Sequence, residues 1–236
     1  MNTLIVYAHP EPRSFTAALK DTAVATLGAL GHEVSVSDLY AEGFNPVAGR
    51  HDFETVADGG HFHYQQEQLK ASQAGGFSAE LRREQERVAQ ADLFLFVYPL
   101  WWGGMPAILK GWFDRVMAYG FAYADGKRFD SGFFQGRHGL IALTTGGTPE
   151  RFSPEGVYGP IDDLLYPHRR TMLEYLGLRI APTFVAYATP RVSAAEREAY
   201  LAAWAAQLTK LAGEIAATPA QRAAAPTTTT HWATAA

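Results

Sequence analysis

The chain has 236 residues, a net charge of −4, 13% aromatic residues and no cysteine. The missing thiols exclude disulfides, thiolate nucleophiles, zinc–thiolate sites and iron–sulfur clusters, so any redox chemistry requires a bound cofactor. The charge balance and the lack of a long basic run argue against a surface for nucleic acid or anionic membrane.

Hydropathy along the chain predicts a cytoplasmic protein with one large domain. Hydrophobic residues make up 47% of the sequence, enough to bury the core of a single α/β domain. No stretch reaches the roughly 18 uncharged apolar residues that a membrane helix needs. The apolar run after Met1 breaks at Pro10 and has the pattern of a buried strand, not of a signal peptide.

The first part of the chain alternates strand and helix patterns. Residues 4–8 predict a buried strand, and a helix that begins near Ser14 carries an apolar stripe and ends at Gly31. Residues 33–39 predict a second strand. From 41 to 78 the pattern weakens, which predicts a long surface excursion of the kind that is functional or covers a partner subunit.

The second part continues the alternation. The predicted elements are helices over 78–91, 107–118 and 162–176, and strands over 93–98, 139–145 and 179–188. A last helix opens with a capping box at Ser193 and Glu196. Together they predict an α/β fold whose doubly wound, five-stranded parallel sheet has helices on both faces. The domain covers 1–216, and the Ala-, Thr- and Pro-rich tail at 217–236 is expected to be disordered.

Three strand exits carry the residues that point to chemistry. In an open doubly wound sheet, ligands bind outside the carboxyl ends of the strands. The three exits are 8–16 after the first strand, 99–104 after the third and 144–148 after the fourth. Their convergence at one edge of the sheet predicts a ligand site there.

The first exit has the chemistry of a phosphate site. Ser14 offers a hydroxyl at the positive end of a helix, and His9 and Arg13 add charge. Neither glycine-rich phosphate motif is present, so this loop would have to bind a phosphate without them. The alternative is that Ser14 only caps the helix and His9 is an ordinary strand-end histidine.

The second and third exits suit a planar ligand. Trp101 and Trp102 place two indoles on a turn, where they either stack on a flat ring or pack beneath the next helix. A stacked tricyclic ring buries roughly 200 Å², worth about 5 kcal/mol before association costs, which is enough to hold a flavin without a covalent bond. Gly146 and Gly147 offer backbone N–H donors to its pyrimidine edge, although this stretch by itself is typical of a plain turn.

Other polar residues are weaker candidates. His51, His61 and His63 raise the question of a metal, but no carboxylate accompanies them at helical spacing, so solvated histidines are favoured and no metal site is predicted. Arg197 lies just inside the last helix and opposes its dipole, which slightly favours a ligand or an acidic partner.

The stretch 98–116, together with 120–123 and 144–147, resembles the flavodoxin-like NAD(P)H:quinone oxidoreductase family, the DT-diaphorase group and its bacterial relatives. The resemblance covers roughly residues 1–215. It implies the sheet order 2-1-3-4-5 and a homodimer with FAD, rather than FMN, at each end of the interface. It also implies ping-pong reduction of quinones by NADH or NADPH, with hydride passing through N5 of FAD.

The resemblance implies roles for particular residues. Those implied to contact the FAD diphosphate and ribityl region are His9, Ser14, Phe15 and Thr16. Those implied to line the isoalloxazine are Pro99, Leu100, Trp101, Trp102 and Gly103, with Thr144, Thr145, Gly146 and Gly147 at its polar edge. Arg197 falls near the adenosine half, and His63 and Tyr64 match a pair from the partner subunit's loop.

The chain departs from the family pattern at several positions. Mammalian members carry a Tyr and a His that are thought to balance charge on the reduced flavin, where this chain has Phe152 and Tyr158. Gly103 replaces a Phe that walls the pocket, and Asp125 replaces the second of two facing tyrosines, of which Tyr123 is the first. The predicted substrate pocket is lined by Trp102, Tyr123, Asp125, Phe152 and Tyr158. The hydride route is expected to survive, because it runs through the flavin, whereas the proton route and substrate range are put in question.

The expected catalytic groups are Tyr158 and the backbone of Gly146 and Gly147. The backbone N–H groups are expected to stabilise the reduced flavin, and the Tyr158 hydroxyl to act as the donor. Two other functions stay open on the sequence: a flavin-binding regulatory subunit of a potassium-efflux system, and an azo- or nitro-compound reductase of the same fold.

Overall fold

A parallel sheet forms the centre of the fold in this computed structural model, which describes residues 1–54, 56 and 59–217. Its strands are β1 (Asn2–Tyr7), β2 (Glu33–Asp38), β3 (Leu93–Pro99), β4 (His138–Thr144), β5 (Arg179–Ile180) and β6 (Phe184–Ala186). The order is β2-β1-β3-β4-β5, with β6 also paired to β4, and every pairing is parallel. The predicted flavodoxin-like order is confirmed.

Helices cover both faces of this sheet. They are α1 (Phe15–Ala29), α2 (Tyr64–Ala74), α3 (Ala79–Gln90), α4 (Ala107–Val116), α5 (Ile161–Tyr166) and α6 (Ala194–Ala217). Because successive strand residues point to opposite faces, β1 sends Leu4 and Val6 into one core, with Trp112 of α4, and Ile5 into the other, with Trp204 of α6. Every residue of β3 is buried, as its unbroken apolar run predicts.

The predicted helix caps are present. The Ser14 hydroxyl accepts a hydrogen bond from the Ala17 N–H at 3.1 Å, so Ser14 does cap α1. At α6 the capping box is complete: the Ser193 N–H donates to the Glu196 carboxylate at 2.8 Å, and the Glu196 N–H donates to the Ser193 hydroxyl at 3.2 Å. These helix starts follow directly from local residue types.

Prolines divide two predicted elements. The strand predicted over 179–188 is two short strands, β5 and β6, with Pro182 between them, and the prediction of one continuous strand was wrong. The helix predicted over 162–176 is α5, then a π-helix at Pro167–Leu173, then a 3₁₀ turn at Glu174–Leu176. In each case proline lacks the N–H that a regular ladder or helix requires.

The segment 41–78 has many exposed residues among those described and also sends some side chains into the core, so the predicted surface excursion stays a prediction. It contains α2 and a 3₁₀ turn, Arg50–Asp52, and buries Asp52 completely. The Arg115 side chain of α4 donates to one Asp52 oxygen from Nε at 2.8 Å and from Nη2 at 2.6 Å. The buried polar side chains among its described residues are Asp52, Glu67, Gln68 and Ser72, whereas most of its other polar residues are exposed. The tail at 218–236 lies outside the described residues.

Candidate functional site

A cleft of about 540 Å³ opens at the carboxyl edge of the sheet. This volume falls within the range of small-molecule and cofactor sites. The lining residues come from the loops after β3 and β4, from α5 and from the segment before α6: Leu100, Trp102, Gly103, Thr145, Gly146, Gly147, Arg151, Phe152, Tyr158, Leu164 and Arg191.

Backbone hydrogen bonds align the strand exits beside one another. The Ala8 N–H donates to the Val97 carbonyl at 3.0 Å, which joins the exits of β1 and β3. The Leu100 N–H donates to the Thr144 carbonyl at 2.8 Å, which joins the exits of β3 and β4. The three exits of interest in the sequence therefore lie side by side.

A tight turn after β3 presents both indoles to the outside. Trp101 and Gly104 exchange backbone hydrogen bonds at 3.0 and 2.9 Å, and the two residues between them are left-handed, with φ of 51° at Trp102 and 73° at Gly103. A left-handed Trp is strained, because its side chain disfavours positive φ. Trp102 is wholly exposed and Trp101 is partly exposed, so neither packs beneath α4.

The loop after β4 presents unpaired donors to the cleft. Among the described residues, neither the Gly146 nor the Gly147 N–H donates a hydrogen bond. Two hydrogen bonds hold this loop in place, because the Thr145 hydroxyl and the Ala188 N–H donate to the Gly147 carbonyl at 2.7 and 2.9 Å. A Cβ at Gly147 would approach the Phe152 ring to 2.8 Å, so this close packing requires glycine.

An aromatic wall closes one side of the cleft. The ring centroids of Phe152 and Tyr158 are 5.1 Å apart, and Tyr187 packs behind Phe152 at 5.9 Å. Phe152 is buried, whereas Tyr158 is half exposed. Its hydroxyl has no partner among the described residues, so it is available to a ligand.

The first exit lies outside the cleft lining. The Ser14 hydroxyl is occupied by its cap, and the buried Thr16 hydroxyl bonds that of Thr144 at 2.9 Å. His9 Nδ1 accepts from the Glu11 N–H at 3.0 Å, and its ring lies 5.9 Å from the Trp101 ring. Burial lowers the pKa of His9, which keeps its imidazole neutral near pH 7.

Other predicted site residues are not brought to the cleft within one chain. Tyr123 lines a separate depression of about 250 Å³ beside Tyr175, and Asp125 is exposed. Pro99 is buried at the end of β3. Arg197 is held by a bond from Nη2 to the Val192 carbonyl at 2.8 Å, while its buried Nε has no partner. In the described part of the chain, no group of three or more His, Asp or Glu side chains is placed to hold a metal ion.

Sequence reasoning missed Leu164, Arg151 and Arg191 of the cleft lining. Arg191 follows β6, whose exit is joined to that of β4 by a bond from the Thr145 N–H to the Ala186 carbonyl at 3.0 Å. Treating the last strand as a fourth exit would have found Arg191. Arg151 and Leu164 carry no comparable sequence signal.

The fold and the cleft define a flavodoxin-like protein. A family model described as flavodoxin-like fold matches residues 1–209. Among the described residues, no helix has both the length and the apolar character needed to cross a membrane.

Relatives narrow the family further. A ribosyldihydronicotinamide dehydrogenase [quinone] of Pongo abelii is 40% identical, over 87% of this chain and 89% of its own length. The NAD(P)H dehydrogenase [quinone] 1 of Rattus norvegicus is 38% identical, over 87% and 75%. A crystal structure from Klebsiella pneumoniae, provisionally assigned as a quinone reductase, superposes with a TM-score of 0.85 at 40% identity, over 89% and 85%. The chain therefore belongs to the flavodoxin-like NAD(P)H:quinone oxidoreductase family of enzymes.

Proposed function

We propose that the protein uses a bound flavin to transfer two electrons from NADH or NADPH to a quinone. The observation that carries the proposal is the cleft itself, with an exposed indole turn on one side and the unpaired N–H groups of Gly146 and Gly147 on the other. The names of the relatives support the donor and acceptor classes.

The residues of the cleft fit a flavin. The exposed face of Trp102 and the Phe152–Tyr158 wall suit a flat, largely apolar ring. The glycine donors at the β4 exit suit a polar ring edge that becomes negative on reduction. When bound, a flavin supplies the two-electron chemistry that the side chains lack. We extend the proposal to FAD, because the buried Nε of Arg197 lacks a partner where the family resemblance implies an adenosine half.

The chain's own groups then have separate tasks. The N–H groups of Gly146 and Gly147 stabilise negative charge at the inner edge of the cleft, since they are fixed and unpaired. The Tyr158 hydroxyl, which has no partner within the described residues, would give a hydrogen bond or a proton to a ligand in the cleft. Trp102, whose exposed indole lines the cleft, would stack on a bound flavin ring.

We propose that the working form is a homodimer with the cleft at its interface. The exposed large apolar side chains include Trp102 and Tyr158 of the cleft lining, their sequence neighbours Trp101 and Val157, and Tyr166 of α5. Tyr123 lies apart from the cleft of its own chain. It could therefore reach a cleft only in a dimer, where it would approach the cleft of the second chain. Light scattering on the purified protein tests this, and a monomer that retains full activity would contradict it.

Absorption spectroscopy and steady-state kinetics test the proposal as a whole. The purified protein is expected to be yellow and to release FAD on denaturation, with parallel double-reciprocal lines when NADPH and a quinone are varied together. A colourless protein that fails to take up FAD contradicts the proposal. Bound flavin without quinone-dependent oxidation of NAD(P)H would favour a regulatory subunit, and preference for an azo or nitro compound would reassign the acceptor.

Tyr158→Phe tests the role of the hydroxyl. The rate of donor oxidation is expected to fall by roughly a hundred-fold or more, with a changed pH profile, if the hydroxyl transfers a proton. The matched control is Tyr40→Phe, which removes a hydroxyl from a half-buried tyrosine after β2 that does not line the cleft. An unchanged rate and pH profile in Tyr158→Phe refutes the role.

A further inference from the structure

Two arginines that line the cleft have no acidic partner among the described residues. Arg151 follows the β4 loop, and Arg191 precedes α6. Arg191 Nη1 donates to the Gly146 carbonyl, on the same loop that offers the unpaired N–H groups. Neither guanidinium forms an ion pair within the described residues, and the lining contains no carboxylate.

Several other arginines of this chain pair with carboxylates: Arg82 with Glu54, Arg87 with Glu42 and Glu84, Arg115 with Asp52 and Glu80, Arg169 with Asp162, and Arg170 with Glu174. Arg50, Arg128, Arg179 and Arg197 form no ion pair within the described residues either, but they do not line this cleft. The carboxylate next in sequence to Arg151 is that of Glu150, whose pKa is lowered chiefly by a hydrogen bond from Thr148 and not by Arg151. The positive charge of the cleft is thus left for a ligand.

A phosphate is a group that two arginines recognise well. The planar guanidinium presents paired N–H donors that match phosphate oxygens and remains charged at any working pH. Arg191 also contacts the loop after β4 that contains Gly146 and Gly147. An anion bound there would therefore meet both guanidinium and backbone N–H donors. A neutral quinone has no negative charge to pair with the two guanidinium groups. A dinucleotide does, because it carries a diphosphate.

We propose that Arg151 and Arg191 bind the diphosphate of the hydride donor, so that this chain selects NADH and NADPH over an uncharged ribosyl dihydronicotinamide. The inference rests on the proposed function, because it assigns a donor to the same cleft. It separates this chain from relatives that are named for the ribosyl donor. The diphosphate of FAD has the same chemistry, and the experiment distinguishes the two sources.

The test uses Arg151→Gln, Arg191→Gln and the double variant of the flavin-loaded full chain. The ratio of kcat/KM for NADPH to kcat/KM for ribosyl dihydronicotinamide is expected to fall about ten-fold in each single variant and roughly a hundred-fold in the double, in line with the loss of charge-assisted bonds. The Kd of NADP⁺, measured by equilibrium dialysis, is expected to rise in parallel. The control is Arg179→Gln, an exposed arginine at the start of β5, away from the carboxyl edge.

Three results overturn the inference. The first is an unchanged donor ratio in the double variant together with an unchanged Kd for NADP⁺. The second is a loss of FAD affinity with the donor ratio preserved, which would assign the arginines to the cofactor. The third is a wild-type protein that prefers the ribosyl donor. In all three cases quinone reduction persists in the wild type, so they are distinct from failure of the proposed function, in which no dihydronicotinamide supports quinone reduction.

Discussion

Charged groups are arranged in opposite ways in two regions of the molecule. Between α4 and the 41–78 segment, Arg115 is buried and bonded to Asp52 and Glu80, and the Tyr64 hydroxyl donates to the second Asp52 oxygen at 2.5 Å. In the cleft, Arg151 and Arg191 are exposed and have no acidic partner in the described part of the chain. The first region satisfies its charges internally, and the second leaves them for a ligand.

The comparison shows that an arginine can have either a structural or a ligand-binding role, and that its surroundings decide which. A buried arginine must be paired, because an uncompensated charge in the interior is very costly. Burial alone lowers the pKa of Arg115, but the hydrogen bonds that it donates to Asp52 and Glu80 outweigh this effect and raise the pKa above its ordinary value. An exposed arginine has only a small desolvation energy. It can therefore stay unpaired and bind an anion from solution.

Removal of the central arginine should give the largest effect on stability. Arg115→Met leaves the Asp52 carboxylate buried without its partner and is expected to lower the free energy of unfolding by about 3–5 kcal/mol. Arg191→Met, at an exposed site, is expected to change it by less than about 0.5 kcal/mol. Urea unfolding measures both values. Equal losses in the two variants would remove the contrast between the regions, and recovery in Arg115→Met with Asp52→Leu would confirm its electrostatic origin.

Two tryptophans show the same difference between a buried, paired side chain and an exposed one, with smaller expected effects on stability. Trp112 is buried and its Nε1 donates to Glu84 at 2.8 Å, so Trp112→Phe is expected to cost roughly 1–3 kcal/mol of stability. Trp102→Gly relieves a left-handed conformation and is expected to leave stability unchanged or raised, while flavin and quinone bind more weakly. Thermal unfolding and flavin titration are the measurements. A destabilised Trp102→Gly with normal flavin affinity would show that the turn is structural.

Glycine substitutions sharpen the description of the β4 loop. Gly147→Ala places a methyl group 2.8 Å from the Phe152 ring and is expected to weaken flavin binding about ten-fold, with a stability loss of about 1 kcal/mol or more. Gly28→Ala on α1, where a Cβ meets nothing within 4 Å, is expected to add up to about 1 kcal/mol. Flavin fluorescence titration and urea unfolding compare the two. Unaltered flavin affinity in Gly147→Ala would remove this loop from the proposed site.

The smallest expected effect concerns pH. His168 lies on the π-helix, where its Nδ1 is 3.1 Å from the Tyr98 hydroxyl, and burial lowers its pKa. The unfolded chain therefore binds a proton more readily, so stability is full above about pH 6.5 and declines as the pH falls below it. In His168→Gln, stability is expected to fall less steeply at low pH. Part of the fall remains, because the pKa values of His9, His32 and His138 are also lowered. Unfolding at pH 5.5 and 7.5 measures it, and an unchanged slope would contradict the assignment.

Local patterns determined the alternation of elements and their starts. The unbroken apolar run of β3, the cap at Ser14 and the box at Ser193 and Glu196 each depend on residues a few positions apart, so the sequence alone was sufficient. The alignment of the strand exits along one edge also followed, because the carboxyl ends of parallel strands must share one edge, whereas a ligand site there stays a prediction. The resemblance to the quinone oxidoreductase family, visible in 98–116 and 144–147, is confirmed by the relatives.

Tertiary structure alone decided which polar residues are buried and which are offered to a ligand. Asp52 and Arg115 are 63 positions apart, and no local pattern reveals that they pair. The same holds for Arg151 and Arg191, which the fold brings into one cleft from different loops. The physical reason is that secondary structure depends on neighbours in the chain, whereas desolvation and charge pairing depend on neighbours in space.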